Sequence, residues 1–248
     1  MSDQTAATQQ RHRELELLAA VRHAVYRLIA SALQYPDAGR VETLQDELAR
    51  SESWHQCGGQ LPLLAAWERL AEEAQAALAA TPLLALQTEH VRLFEANAVA
   101  PPYESAYATK PSHHRGVVNA ELLREYADAG VTLRDSLCDT ADYVVVELEI
   151  MAHLCRQESR GWAEGAGHAA MRTQAGFLRR HVLRWFPEFA RRVVEADRCG
   201  FYRAVAGGTV GVLLRDEQWL HSDELGLPPQ AGGGEVVGLS DGVGTVSR

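Results

Sequence analysis

Apolar residues recur every three or four positions over most of this chain, the period of a helix with one buried face. From about Glu14 to Leu33, the residues Leu18, Val21, Val25, Leu28, Ile29 and Ala32 share one face and predict an amphipathic helix. Tyr35-Pro36-Asp37 ends it, because the residue before a proline is pushed out of helical geometry. A short helix is expected over Val41–Ala49. After a break at Ser51–Gln60, centred on Cys57-Gly58-Gly59, the stripe Leu64, Trp67, Leu70 and Ala71 predicts a helix over Leu61–Ala80. Thr81-Pro82 reads as a start signal, with Thr as cap and Pro at the first helical position. The helix it opens carries Leu83, Leu86, His90, Leu93 and Phe94 on one side.

The pattern then fails from Glu95 to Gly116, which reads as a long loop packed against the body of the protein. It resumes over Val117–Ala129, closed by Gly130, and over Asp139–Ser159, His168–Trp185, Glu188–Ala206 and Val210–Leu220, with a break placed at Phe186-Pro187. From Ser222 onward the chain is rich in Gly, Pro and Ser and is expected to be disordered. The expectation is an all-α fold, a single-domain bundle of roughly nine helices over residues 14–221. A flexible N-terminus (1–13) and a disordered tail (222–248) flank it.

Of 248 residues, 46% are apolar and 23% charged, ordinary for a globular chain. The net charge of -9 argues against nucleic acid, whose phosphates need clustered Lys and Arg, and suits a basic partner. The four cysteines, Cys57, Cys138, Cys155 and Cys199, form no C-x-x-C pair, so neither a zinc site nor a disulfide framework is expected. Met1–Arg11 lacks the apolar segment of a secretory signal, and no run is long enough to span a bilayer. A cytoplasmic location follows as the expectation.

The segment from Pro101 to Tyr107 packs two prolines, two tyrosines and a carboxylate into seven positions, the make-up of a peptide-contacting surface. On a wheel of Asp139–Ser159, Asp142, Glu149, His153 and Arg156 lie opposite the apolar arc, while Glu147 falls inside it. A carboxylate there needs a partner. Three roles are open to it: a structural pair with Arg27 or Arg92, a groove carboxylate for a basic ligand, or a catalytic acid. The adjacent His113-His114 is badly spaced for one metal ion, His90 reads as a core or groove wall, and His153 and His168 read as solvent-facing. Neither a phosphate-binding loop nor a nucleophile elbow is present. No catalytic residue, metal ligand or cofactor is expected.

These segments resemble the TorD/DmsD/NarJ family of chaperones dedicated to molybdenum-cofactor enzymes. Tyr26-Arg27-Leu28-Ile29-Ala30 with Tyr35-Pro36 is similar to the end of the family's N-terminal helix. Glu89–Phe94 resembles its acidic-aromatic-x-x-Leu-Phe segment, and Pro101–Tyr107 its P-P-Y-E-S-x-Y loop. Asp142-Tyr143 through Glu147-Leu148-Glu149-Ile150-Met151 resembles its D-H-x-x-x-E-L-x-F-M helix, with tyrosine in place of the histidine. Phe177-Leu178, His181, Trp185, Pro187, Phe189 and Phe201-Tyr202 resemble its C-terminal pattern.

The resemblance implies an all-helical, TorD-like chaperone without turnover. It would bind the twin-arginine leader of a catalytic subunit of the DMSO reductase superfamily, as a monomer or a homodimer, and assist molybdenum cofactor insertion before export. The client-binding residues it implies are Glu89, Pro101, Pro102, Tyr103, Glu104, Ser105, Tyr107, Asp142, Tyr143 and Glu147. Two other classes stand beside it. One is a helical metal-dependent hydrolase using Glu147 and the histidines; the other is a structural subunit retained in the mature enzyme.

Overall fold

The computed structural model describes residues 2–54, 61–95, 97–108, 115–133 and 140–222. Cys57, Cys138, His113, His114 and the tail from residue 223 lie outside the described residues. Eight helices carry the fold among the described residues: α1 (Ser2–Ala32), α2 (Ala38–Ser51), α3 (Leu64–Ala80), α4 (Leu83–Phe94), α5 (Arg115–Asp128), α6 (Val144–Gly161), α7 (167–196) and α8 (Phe201–Leu220). The closest packing is α1 along α6, α3 against α8, and α7 against both α6 and α8.

Local chemistry sets most boundaries. The Asp37 carboxylate accepts the Arg40 N–H at 2.9 Å and starts α2. Gly130, at φ 72°, ends α5: its N–H returns to the Ala127 carbonyl and that of Val131 to the Tyr126 carbonyl. Gly208 lets α8 lie close on α3, since a Cβ there would stand 2.7 Å from Leu70.

Several boundaries differ from the sequence expectation. α1 begins at Ser2, well before Glu14. Thr81 does not cap α4; its hydroxyl donates back to the Ala77 carbonyl at 2.7 Å, closing α3, while Pro82 takes the cap position. The break expected at Phe186-Pro187 is absent. Gly167–Phe177, Leu178–Val182 and Leu183–Ala196 run on as one helix, and Phe201–Leu220 is continuous where Ala206 and Val210 were expected to bound two, so eight helices stand among the described residues against the expected nine. Pro187 is tolerated because its ring is on the exposed side and Leu178–Val182 is a π turn just upstream, where the ladder is already widened. The chain turns instead at Asp197–Gly200, with Gly200 at φ 85° before α8.

The core is aromatic and aliphatic, with Trp67, Trp162, Trp185, Phe186 and Phe189 all buried. At its centre lies Arg22 of α1, fully buried. It donates to Asp216 of α8 through Nε, to Glu158 of α6 at 2.6 Å, and to Gln174 of α7. Tyr26 donates to the same Asp216 at 2.7 Å, and Gln174 donates to Glu158 at 2.8 Å. One guanidinium therefore ties four helices together. Removing one member of a buried charged set leaves the others desolvated and unpaired, at a cost of about 3–5 kcal/mol. Arg22→Ala is expected to lower the unfolding free energy by that amount in urea titration. Arg179→Ala, which breaks the exposed pair with Glu217, is expected to cost less than about 1 kcal/mol.

Candidate functional site

The Pro101–Tyr107 loop is built into the start of α6. The Val144 N–H donates to the Pro102 carbonyl and the Glu104 N–H to the Asp142 carbonyl, each at 2.9 Å. These two bonds form an antiparallel bridge between Tyr103 and Tyr143. α6 has no side-chain cap, so the loop carbonyl takes up its first free N–H. The Tyr103 and Tyr143 rings meet with centroids 5.6 Å apart, and the Arg115 guanidinium sits 5.1 Å above the Tyr103 ring.

Beneath the loop, Asp142 is fully buried, not on the solvent side of the helical wheel. It precedes α6, so the wheel does not govern it. It accepts from the Ser105 hydroxyl at 2.5 Å, Asn119 at 3.1 Å and the Thr140 hydroxyl. Glu104 points inward and pairs with His181 Nδ1 at 3.0 Å; His181 Nε2 meets Glu125 at 3.2 Å, and Arg180 holds Glu125 through two bonds of 2.9 Å. Burial opposes the imidazolium, but these two carboxylates raise His181 to about 9. Burial also opposes the Glu125 charge, and the bonds from His181 and Arg180 outweigh it, holding that carboxyl at about 2.

Glu147 is 1% exposed and has no arginine partner among the described residues. Its Oε2 accepts the Trp185 indole N–H at 3.0 Å, while Oε1 has no hydrogen-bond partner among the described residues. Burial first, then the nearby Glu104 and Asp142 charges, push its carboxyl well above the usual range, so it is held protonated. A single indole donor suits a neutral acid better than an arginine would in this dry position. Sealed in this way, Glu147 is out of reach of a substrate, and the described residues lend the hydrolase reading no support.

Tyr107 extends the anchoring into α7. Its ring packs on Trp185 at 5.4 Å, with Arg192 4.9 Å above it, and burial raises its hydroxyl to about 12. Glu89 lies apart from the loop. It pairs with Arg92 and accepts the Arg198 N–H at 2.8 Å, joining α4 to the turn after α7.

The surface above this layer is an open groove of about 490 Å³. Of the ten residues expected to bind a client, Pro102, Tyr103 and Tyr143 line it. Pro101 and Ser105 shape the loop, and Glu104, Asp142 and Glu147 support it from below. His90 also lines the groove, as expected. Its ring stands edge-on to Phe94 and Tyr35, and burial lowers its basicity, so it is neutral against Glu95 at 3.5 Å. The exposed carboxylates here are Asp37, Glu95 and Glu149, with Arg40 as the opposing cation. Sequence reading did not single out these three as site residues. The wheel placed Glu149 opposite the apolar arc, and the break at Tyr35-Pro36-Asp37 put Asp37 between α1 and α2. His153 and His168 are half-buried, the latter edge-on to Trp162 at 4.8 Å.

The family model described as nitrate reductase delta subunit matches residues 60–191. The chain belongs to this family, the TorD/NarJ group of maturation chaperones. A selenate reductase assembly chaperone protein from Thauera selenatis is 30% identical over 212 residues, 84% of this chain and 91% of that one. A chlorate reductase assembly chaperone protein from Ideonella dechloratans is 32% identical over 172 residues, 66% of this chain and 82% of that one. The chaperone protein TorD of Vibrio cholerae serotype O1 is 31% identical over 128 residues, 50% of this chain and 55% of its own length. The chain thus spans about half the length of that relative.

The charges under the loop give a pH signature for this TorD/NarJ member. His181 is raised in the fold from an unfolded value of about 6.5, so its stabilisation is complete below that pH and lost as pH rises towards 9. Unfolding free energy in urea is expected to fall over this window, and His181→Gln to remove most of the slope; a flat wild-type profile would contradict the network. A carboxyl raised by folding costs stability above its unfolded value. Glu147→Gln is therefore expected to be more stable than wild type at pH 8, with the difference vanishing near pH 4.

Proposed function

We propose that this chain is a cytoplasmic assembly chaperone for one molybdenum-cofactor enzyme of the DMSO reductase superfamily. It binds the twin-arginine leader of the catalytic subunit, holds the apo-subunit while the cofactor is inserted, and releases it for export. It acts by binding and carries no cofactor of its own. The reading holds for a monomer or a homodimer.

The observation that carries this reading is the make-up of the groove. Two tyrosine rings in tilted contact and a proline form an aromatic wall, and Asp37, Glu95 and Glu149 outnumber Arg40 at the rim. A twin-arginine leader is cationic at one end and apolar beyond it. Arginine stacks on aromatic faces and pairs with carboxylates, so both surfaces of the groove suit it. The rim charges are exposed, so they favour rapid, salt-sensitive encounter over raw affinity. By their names, the selenate and chlorate reductase chaperones serve oxyanion reductases, and a client of that class is in keeping with the reading.

Calorimetry with a synthetic peptide bearing an Arg-Arg pair ahead of an apolar stretch tests this. The wild-type chain is expected to bind it with an affinity that weakens as salt is raised. Tyr103→Ala and Tyr143→Ala are each expected to weaken binding about tenfold, or about 1.4 kcal/mol, with helical content unchanged. The absence of heat with wild type at low salt would overturn the reading.

A further inference from the structure

The leader groove does not end at Tyr143. It shares Val146 and Glu149 with a second cleft of about 320 Å³, floored by Val131, Leu133 and Ile150. That cleft shares His23 and Arg27 with a third of about 340 Å³, which Trp54 closes. The three form one track along the outer flank of α1.

Charge changes sign along this track. Asp37, Glu95 and Glu149 stand at the first end. At the other stand Arg27, Arg156 and Arg50, with His23 and His153 between them, opposed by Glu47 and by Glu149, which also lines the second cleft. Arg27 makes no ion pair among the described residues. Arg50 reaches Asp46 only at 4.0 Å, with both side chains more than two-thirds exposed, so its charge is little compensated. Burial lowers the basicity of His153, and Arg156, Arg160 and His23 lower it further. Three arginines thus face two carboxylates at this end, in a chain whose net charge is -9.

We propose that the whole track is one site for a dipolar client segment: basic residues at Tyr103 and Tyr143, an apolar middle over Leu133 and Ile150, and carboxylates at Arg27 and Arg156. The inference rests on the proposed leader binding and adds the chemistry of the residues beyond the basic pair. Gln34, just past the end of α1, and Arg27 on it mark the two ends, seven residues apart. At about 1.5 Å per residue that is about 10 Å. An extended segment covers it in about three residues and a helical one in about seven. The carboxylates are thus expected at one of those two spacings from the arginine pair.

Two synthetic peptides test it, each with an Arg-Arg pair and an apolar stretch, one ending in a glutamate run and the other in a glutamine run. Calorimetry with the full chain is expected to show the glutamate peptide binding about tenfold tighter. In the Arg27→Gln/Arg156→Gln double variant the ratio is expected to fall to about one. Both residues are exposed, so the fold should tolerate the change. Equal binding of both peptides to wild type overturns the second subsite and leaves leader binding standing. Binding of neither peptide overturns both. A double variant that keeps the glutamate preference but changes oligomeric state shows that the cationic cleft is instead a contact between copies of this chain, and also overturns the proposal.

Discussion

One buried guanidinium sets the frame in which everything else is placed. Arg22 satisfies Asp216, Glu158 and Gln174 from inside a core that admits no water to them, so α1, α6, α7 and α8 are fixed relative to one another at a single point. Hydrophobic packing alone would let α1 slide or rotate against α6 at modest cost. A polar network with directional bonds does not. The next residue along, His23, donates through Nδ1 to the Ala152 carbonyl at 2.8 Å, and Arg27 lies one turn further, facing outward. The outer flank of α1 and α6, where the clefts run, inherits its geometry from the inner seam.

The second layer depends on the first through α7. Its π turn sets His181 under the loop, between Glu104 and Glu125, where the cation offsets carboxylates that would otherwise repel one another. Above it Asp142 fastens Ser105, Asn119 and Thr140, and the Tyr103–Tyr143 bridge is laid over that base. The loop lacks regular structure of its own beyond the turn Glu104–Tyr107, yet little of it is free to move. Rings held in this way need little ordering when a peptide arrives, which lowers the entropic cost of binding.

Much of this was legible from residue order. Helical periodicity located the helices, because an amphipathic stripe is a strong and local signal. The ring-rich loop marked the groove because its composition is abnormal for a connection. Tertiary information was hidden. Arg22 sits among apolar residues with nothing to show that its partners lie at positions 158, 174 and 216. Asp142 looked solvent-facing because a wheel assumes a helix that in fact begins at Val144. Glu147 was correctly read as buried, but an indole donor replaces the expected arginine, and no sequence rule pairs Glu147 with Trp185. Pro187 misled for a related reason: a proline rule counts the lost bond, while the π turn upstream had already loosened the ladder.

The tyrosine at position 143 also fits the electrostatics of this site. The family motif carries a histidine there, a group that gains charge near neutral pH and would then repel a cationic ligand. Here the nearby imidazoles are removed from that role, His181 by its two carboxylate partners and His90 by burial. His181 holds its proton to about 9, beneath the loop and matched by two carboxylates, while His90 is kept neutral in its aromatic cage. Tyrosine adds a stacking face without adding a charge in this range. The charges at the groove mouth are then Asp37, Glu95 and Glu149 against Arg40. On the proposed reading, a basic client segment would be selected there by shape and by its own sequence, without a change of charge at position 143.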